Sequence, residues 1–107
     1  MLTTLHSTLP ARPLLVQVDF EVSGDVHGCL FTKYARDMCQ QLGVKGWIRF
    51  SRWGTVIGQI QGEKDRVDEM ALWLRLQGSP GSKIVRCDFK NWLIVDTYDF
   101  RNFSVRF

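Results

Sequence analysis

No stretch of this sequence is long and apolar enough to cross a membrane as a helix. Its first dozen residues, MLTTLHSTLPAR, lack the basic start and apolar centre of a secretory signal. Cysteine is scarce and odd in number: Cys29, Cys39 and Cys87, with no C-x-x-C pair. That spacing argues against a disulfide framework and a zinc site, and for a reducing, cytoplasmic compartment. The two histidines, His6 and His27, add no metal-ligand spacing, so neither metal nor cofactor is expected. A large charge imbalance is also missing. Nine Arg and five Lys stand against eleven acids, for a net charge of +3. The basic residues are scattered, and the aromatics fall at core-like positions rather than alternating with them. Neither nucleic acid nor a membrane is expected as a partner.

What is present is a chain of 107 residues, 45% apolar, enough for one packed domain. Pro10 and Pro13 punctuate a flexible tail over residues 1–13, and the domain is expected over 14–107. Val16, Val18, Phe20 and Val22 alternate with Gln17, Asp19 and Glu21, the period of a half-buried strand. After a loop, Phe31, Tyr34, Ala35, Met38, Cys39 and Leu42 recur in steps of three and four, which predicts an amphipathic helix. Gly43 sits at its C-cap position. VKGWIRF and TVIGQIQG flank the turn SRWG, a hairpin signal. A second helix is expected from about Glu63, with Glu63 and Asp65 in its first turn and a buried stripe of Val67, Met70, Ala71 and Leu74. The segment QGSPGSK ends it. Val85, Cys87 and Phe89 predict a fourth strand, and Phe103, Val105 and Phe107 a short terminal one.

This order, β-α-β-β-α-β with a short terminal strand, predicts an α+β, ferredoxin-like sandwich: an antiparallel sheet with two helices on one face. The stretch VSGDVHGCLFTKY, residues 22–34, runs from strand through a glycine-bracketed loop into a helix, the arrangement in which backbone amides cradle an anion. Yet no Arg or Lys stands in it before Lys33.

These residues resemble the acylphosphatase family over about Val16–Phe107. The family loop G-R-V-Q-G-V-x-F-R-x-x-Y has its counterpart in GDVHGCLFTKY, where Gly24, Val26, Gly28 and Phe31 fall in step. LGVKGWIRFSRWGTVIGQIQG, residues 42–62, follows the next family stretch without a gap. Ser79-Pro80-Gly81-Ser82-Lys83-Ile84 and FSVRF at residues 103–107 match two further motifs. The resemblance implies hydrolysis of the carboxyl–phosphate bond of small acyl phosphates without metal or cofactor. It implies a phosphate held by the backbone of Asp25, Val26, His27, Gly28, Cys29, Leu30 and Phe31. It also implies an arginine at the start of the first helix that grips the phosphate, and an asparagine at the end of the second strand that positions water.

At those two catalytic positions this chain has Thr32 and Phe50. Thr32 carries no charge, and Phe50 makes no side-chain hydrogen bond. Phe50 shares strand parity with Val44 and Ile48, so it is expected to face the core and cover part of the pocket floor. Asp25, where the family has arginine, sets a carboxylate near the anion. The expectation is a weak or inactive hydrolase that retains at most weak binding of phosphate or an acyl phosphate. The alternative is an active acylphosphatase in which Arg36 and backbone amides substitute. Arg36 lies one turn after Thr32 and leans back toward the helix start. Cys29 is read as a packed thiol and His27 as a loop side chain without a catalytic role. The chain is expected to be a monomer, with Trp53, beside Arg52 in the hairpin turn, as an exposed anchor for a protein partner.

Overall fold

A computed structural model of the chain describes residues 14–26 and 30–107. The tail expected over residues 1–13, with His6, and the loop positions His27, Gly28 and Cys29 lie outside the described residues. Five strands form one sheet: β1 (Leu15–Asp25), β2 (Lys45–Phe50), β3 (Val56–Glu63), β4 (Lys83–Val95) and β5 (Phe103–Val105). Their order is β4-β1-β3-β2-β5. Helix α1 (Phe31–Leu42) connects β1 to β2, and α2 (Lys64–Leu72) connects β3 to β4.

Alternation places Val16, Val18, Phe20 and Val22 of β1 on one buried face, with Ile48, Val56 and Ile60 from the neighbouring strands. Phe31, Ala35 and Cys39 of α1 and Val67 and Met70 of α2 pack on that face and close the core. The spacing of four along α1 fixes that stripe. Tyr34, expected in it, lies on its flank and is exposed; the Lys33 ammonium stands 5.6 Å from its ring centroid. Gly43 ends α1 at φ 72°, and the Val44 N–H donates to the Cys39 carbonyl at 2.8 Å.

The antiparallel sheet acquires one parallel edge. β5 runs parallel to β2, with Gly46 opposite Phe103 and Ile48 opposite Val105. Phe103 is buried and Phe107, beyond the strand, is exposed. Glu63 closes β3 and caps α2 with extended backbone, so the acid in the first turn of α2 is Asp65 alone.

α2 continues into a π-helical turn, Trp73–Gln77, closed by the Gly78 N–H donating to the Trp73 carbonyl at 2.8 Å. A π turn widens the helix and rotates the side chains that follow it. Here Trp73 and Leu74 are buried, while Ala71, expected in the stripe, is half-buried. β4 is longer than the sequence pattern predicts, and its register on β1 shifts twice. The shift between Ser23 and Gly24 turns Val85 out to 81% exposure and Ile84 against the core. Strict alternation through Val85, Cys87 and Phe89 therefore holds only for the last two. No helix among the described residues is long and apolar enough to cross a membrane.

Candidate active site

β1 delivers the loop. Its last residues pair with β4, Gly24 against Ile84 and Asp25 against Lys83. Gly24 adopts φ 138°, and a Cβ there would lie 2.1 Å from the Lys83 carbonyl oxygen. Glycine is thus required where the strand bends toward the loop. Val26 follows, fully buried. On the far side of the loop Leu30 takes left-handed backbone, φ 55°, and leaves its side chain exposed. Its carbonyl accepts the first helical bond, from the Tyr34 N–H at 3.0 Å.

Leu30 has no side-chain oxygen with which to cap α1, and the first turn carries no acid. The amides of Phe31, Thr32 and Lys33 therefore have no intrahelical acceptor and point along the axis toward the loop. Phe31 anchors this end. Its ring is 1% exposed and lies 5.5 Å from that of Trp73, tilted by 48°. Gly78, at φ 64°, lets the chain pass close by: a Cβ there would meet Ser82 Oγ at 2.5 Å and Phe31 at 3.2 Å. Trp73 and Gly78 thus buttress the start of α1 through a residue of the loop motif.

Thr32 is half-buried in this first turn. Phe50 ends β2 opposite Val56. Phe50 keeps the parity of Val44 and Ile48, which are buried, but its ring is 41% exposed. At the strand's end the core no longer covers it. The backbone beyond is nonetheless held firmly. Ser51 Oγ accepts from the N–H groups of Trp53 and Thr55 at 3.2 Å each and lies 2.6 Å from Thr55 Oγ1, which donates to Glu21 Oε2 at 2.7 Å. This bracket ties the hairpin turn to β1. Sequence reasoning missed it, although a serine and threonine four apart around a turn are the signal for such a device.

Arg36, the candidate surrogate, does not stand free. Its Nη2 lies 3.5 Å from Asp37 Oδ1, and Lys33 Nζ approaches the other oxygen of the same carboxylate at 3.9 Å. Asp25 is exposed at the end of β1. The basic residues are less scattered than the sequence implies. On the sheet face away from the helices, Arg49 and Arg106 lie 5.9 and 4.9 Å from the Trp47 ring and Lys45 4.1 Å from that of Tyr98. Trp53 is exposed, with Arg52 5.7 Å from its ring.

Cys39 is fully buried, and burial pushes its thiol well above the ordinary range. Burial pushes Cys87 up to about 11, against a lowering by Arg75. Both stay protonated at neutral pH and are poor nucleophiles. Among the described residues no group of three or more His, Cys, Asp or Glu could hold a metal ion.

The fold is that of a small α+β protein in which a loop joins the first strand to the first helix. The acylphosphatase family profile matches residues 18–105, and the chain belongs to that family. It is 44% identical over 97 residues to Acylphosphatase-2 of Meleagris gallopavo, covering 91% of this chain and 94% of that protein. It is 42% identical over 93 residues to Acylphosphatase-2 of Homo sapiens, covering 87% and 94%. Among solved structures, an acylphosphatase from Coxiella burnetii superposes with a TM-score of 0.75 at 27% identity, over 87% of this chain and 94% of that one. An acylphosphatase from Bacillus subtilis reaches 0.78 at 20% identity, over 86% and 99%, which speaks for the fold alone.

Proposed function

We propose that this chain is an acylphosphatase-family protein that has lost efficient hydrolysis and retains at most weak binding of phosphate or an acyl phosphate at its loop. The observation that carries this reading is the identity of the side chains at the family's two catalytic positions, Thr32 and Phe50. With Thr32 and Phe50 at the family's catalytic positions, Arg36 is the guanidinium best placed to serve in their stead. It lies on Asp37 instead.

Phosphoryl transfer leaves a protein little to do beyond positioning and stabilising charge. An arginine supplies both, as a full charge on a bidentate fork. The amides at the start of α1 supply only partial charges. Loss of one preorganised donor costs on the order of 10²–10³ in rate. Loss of a water-positioning side chain adds to that, though the two effects need not sum. Phe50 contributes by what it lacks, an amide to orient water. Asp25 opposes an anion, and its exposure lets water screen that repulsion.

Hydrolysis of an aryl acyl phosphate tests the reading. The unmodified chain is expected to show negligible turnover, and Thr32→Arg with Phe50→Asn to gain at least 10²-fold, on the scale of one restored donor. The gain stays below the sum of both restorations because Asp25 remains. Robust turnover by the unmodified chain that disappears in Arg36→Ala would refute it and establish Arg36 as the substitute.

A further inference from the structure

The turn between β2 and β3 overhangs a pocket on the sheet face that carries no helix. Glu21 stands opposite Ile57, and Ile57 opposite Arg49. Their chain neighbours Val22, Val56 and Ile48 are in the core, so these three side chains point away from the helices. With Ser51, Arg52 and Trp53 of the turn they line a pocket of about 560 Å³. Sites for small organic ligands span roughly 300–1,000 Å³. None of the lining residues belongs to the loop after β1 or to α1.

The two guanidinium groups of this pocket are uncommitted. Among the described residues neither Arg49 nor Arg52 forms an ion pair. Arg49 Nη1 lies 3.5 Å from the Phe50 carbonyl oxygen and its guanidinium 5.9 Å from the Trp47 ring, while that of Arg52 lies 5.7 Å from the Trp53 ring. The acids of the same face are taken by other donors. Asp19 accepts from Gln59 and Asn91, Glu21 accepts from the Thr55 hydroxyl, and Asp88 pairs with Arg86. The bracket of Ser51, Thr55 and Glu21 braces the turn, so Arg52 and Trp53 are presented with little left to order on binding.

We propose that this pocket binds an aryl phosphate monoester, as a free small molecule or as the phosphotyrosine side chain of a peptide. Two unpaired guanidinium forks suit a dianion with three terminal oxygens, whereas a carboxylate occupies one fork only. Trp53, 77% exposed, and Ile57 give an aromatic wall and an aliphatic floor for the ring. Glu21 lies two strands from Arg49, roughly 10 Å across the sheet. Its carboxylate repels the phosphate and turns it toward Arg49 and Arg52.

NMR titration of the isotope-labelled full chain with phenyl phosphate at about pH 7.5, where the monoester is mostly dianionic, tests the assignment. Phenyl phosphate has no carboxyl–phosphate bond, so the outcome does not depend on hydrolysis at the loop. Shifts are expected at the Trp53 indole N–H and at Nε–H of Arg49 and Arg52, with a dissociation constant of roughly 0.1–1 mM. Inorganic phosphate, which lacks the ring, and benzoate, which carries one charge, are each expected to bind at least about fivefold more weakly. Arg49→Gln with Arg52→Gln is expected to weaken phenyl phosphate at least about tenfold with circular dichroism unchanged. Glu21→Gln, which keeps an acceptor for Thr55, is expected to tighten it about threefold. A phosphotyrosine peptide that binds more tightly than phenyl phosphate assigns the ligand to a protein segment; equal or weaker binding assigns it to a free small molecule. Four results overturn the proposal: no shift at Trp53 up to roughly 10 mM, shifts confined to the amides of Phe31, Thr32 and Lys33, benzoate bound as tightly as phenyl phosphate, or a double arginine variant that binds unchanged.

Discussion

Phe31 links packing to function in a single side chain. Its backbone opens α1 at the end of the loop after β1, and its ring packs against Trp73. Replacing it with alanine leaves a cavity at a site with little freedom to collapse. Phe31→Ala is expected to cost about 3–5 kcal/mol in urea unfolding, and to abolish any activity gained by Thr32→Arg with Phe50→Asn. Gly78 is the second critical residue. Its backbone at φ 64°, ψ −168° lies in a region open essentially to glycine, and a Cβ would press on Ser82 and Phe31. Gly78→Ala is expected to lose about 1–3 kcal/mol in the same measurement. Phe50 contrasts with both. Its ring is 41% exposed, so Phe50→Asn alone is expected to lower the melting temperature less than Phe31→Ala does.

Short elements do disproportionate work here. β5 has three residues, yet it covers the open side of β2 and seats Phe103 in the core. The Gly46 N–H donates to the Asn102 carbonyl at 3.1 Å and the Arg106 N–H to the Ile48 carbonyl at 2.8 Å, fastening the strand at both ends. A chain ending at Arg101 loses these bonds and a buried phenyl ring together. It is expected to be less stable by about 3–5 kcal/mol from the ring alone, seen as a lower denaturant midpoint. The π turn after α2 has a parallel role. Trp73 opens it and packs on Phe31, and the Gly78 N–H closes it on the Trp73 carbonyl.

At the scale of the whole molecule, stability is tied to pH through a thiol. Cys39 is buried in the core cluster, and its folded-state pKa lies above the ordinary 9.0. Below that value the thiol is protonated in both states, and its contribution is fully present. Above it the unfolded chain releases the proton and the folded chain does not, so stability falls as pH rises. The slope is at most about 1.4 kcal/mol per pH unit for this group. Denaturant unfolding is expected to be flat on this account up to about pH 8 and to weaken beyond pH 9. Cys39→Ala is expected to make the alkaline arm shallower, with Cys87 still contributing, while lowering the midpoint at neutral pH by loss of packing.

Which features were legible in the sequence follows from how far apart in the chain their causes lie. Alternation in β1, the stripe of α1, the C-cap at Gly43 and the hairpin turn depend on neighbours within a few residues, and each was readable. The loop motif, together with Thr32 and Phe50 at its catalytic positions, was readable for the same reason. The exposure of Phe50 was not, because parity names a side of the sheet but not where the core stops covering it. Nor was Gln61, a buried amide that donates to Gln17 at 2.6 Å and to Asp99 at 2.9 Å and accepts from the Asp99 N–H at 2.8 Å, partners 44 and 38 residues away. The outward turn of Val85 was equally hidden.

The order of residues by itself determined most of the elements and the identity of Thr32 and Phe50 at the two family positions, because local sterics, periodicity and chemical identity act at short range. Only the folded structure decided that Arg36 lies beside Asp37, that the Phe50 ring is partly exposed and that β4 lies at the edge of the sheet. Those depend on strand order, register and burial, which arise when distant segments meet and compete for the same core.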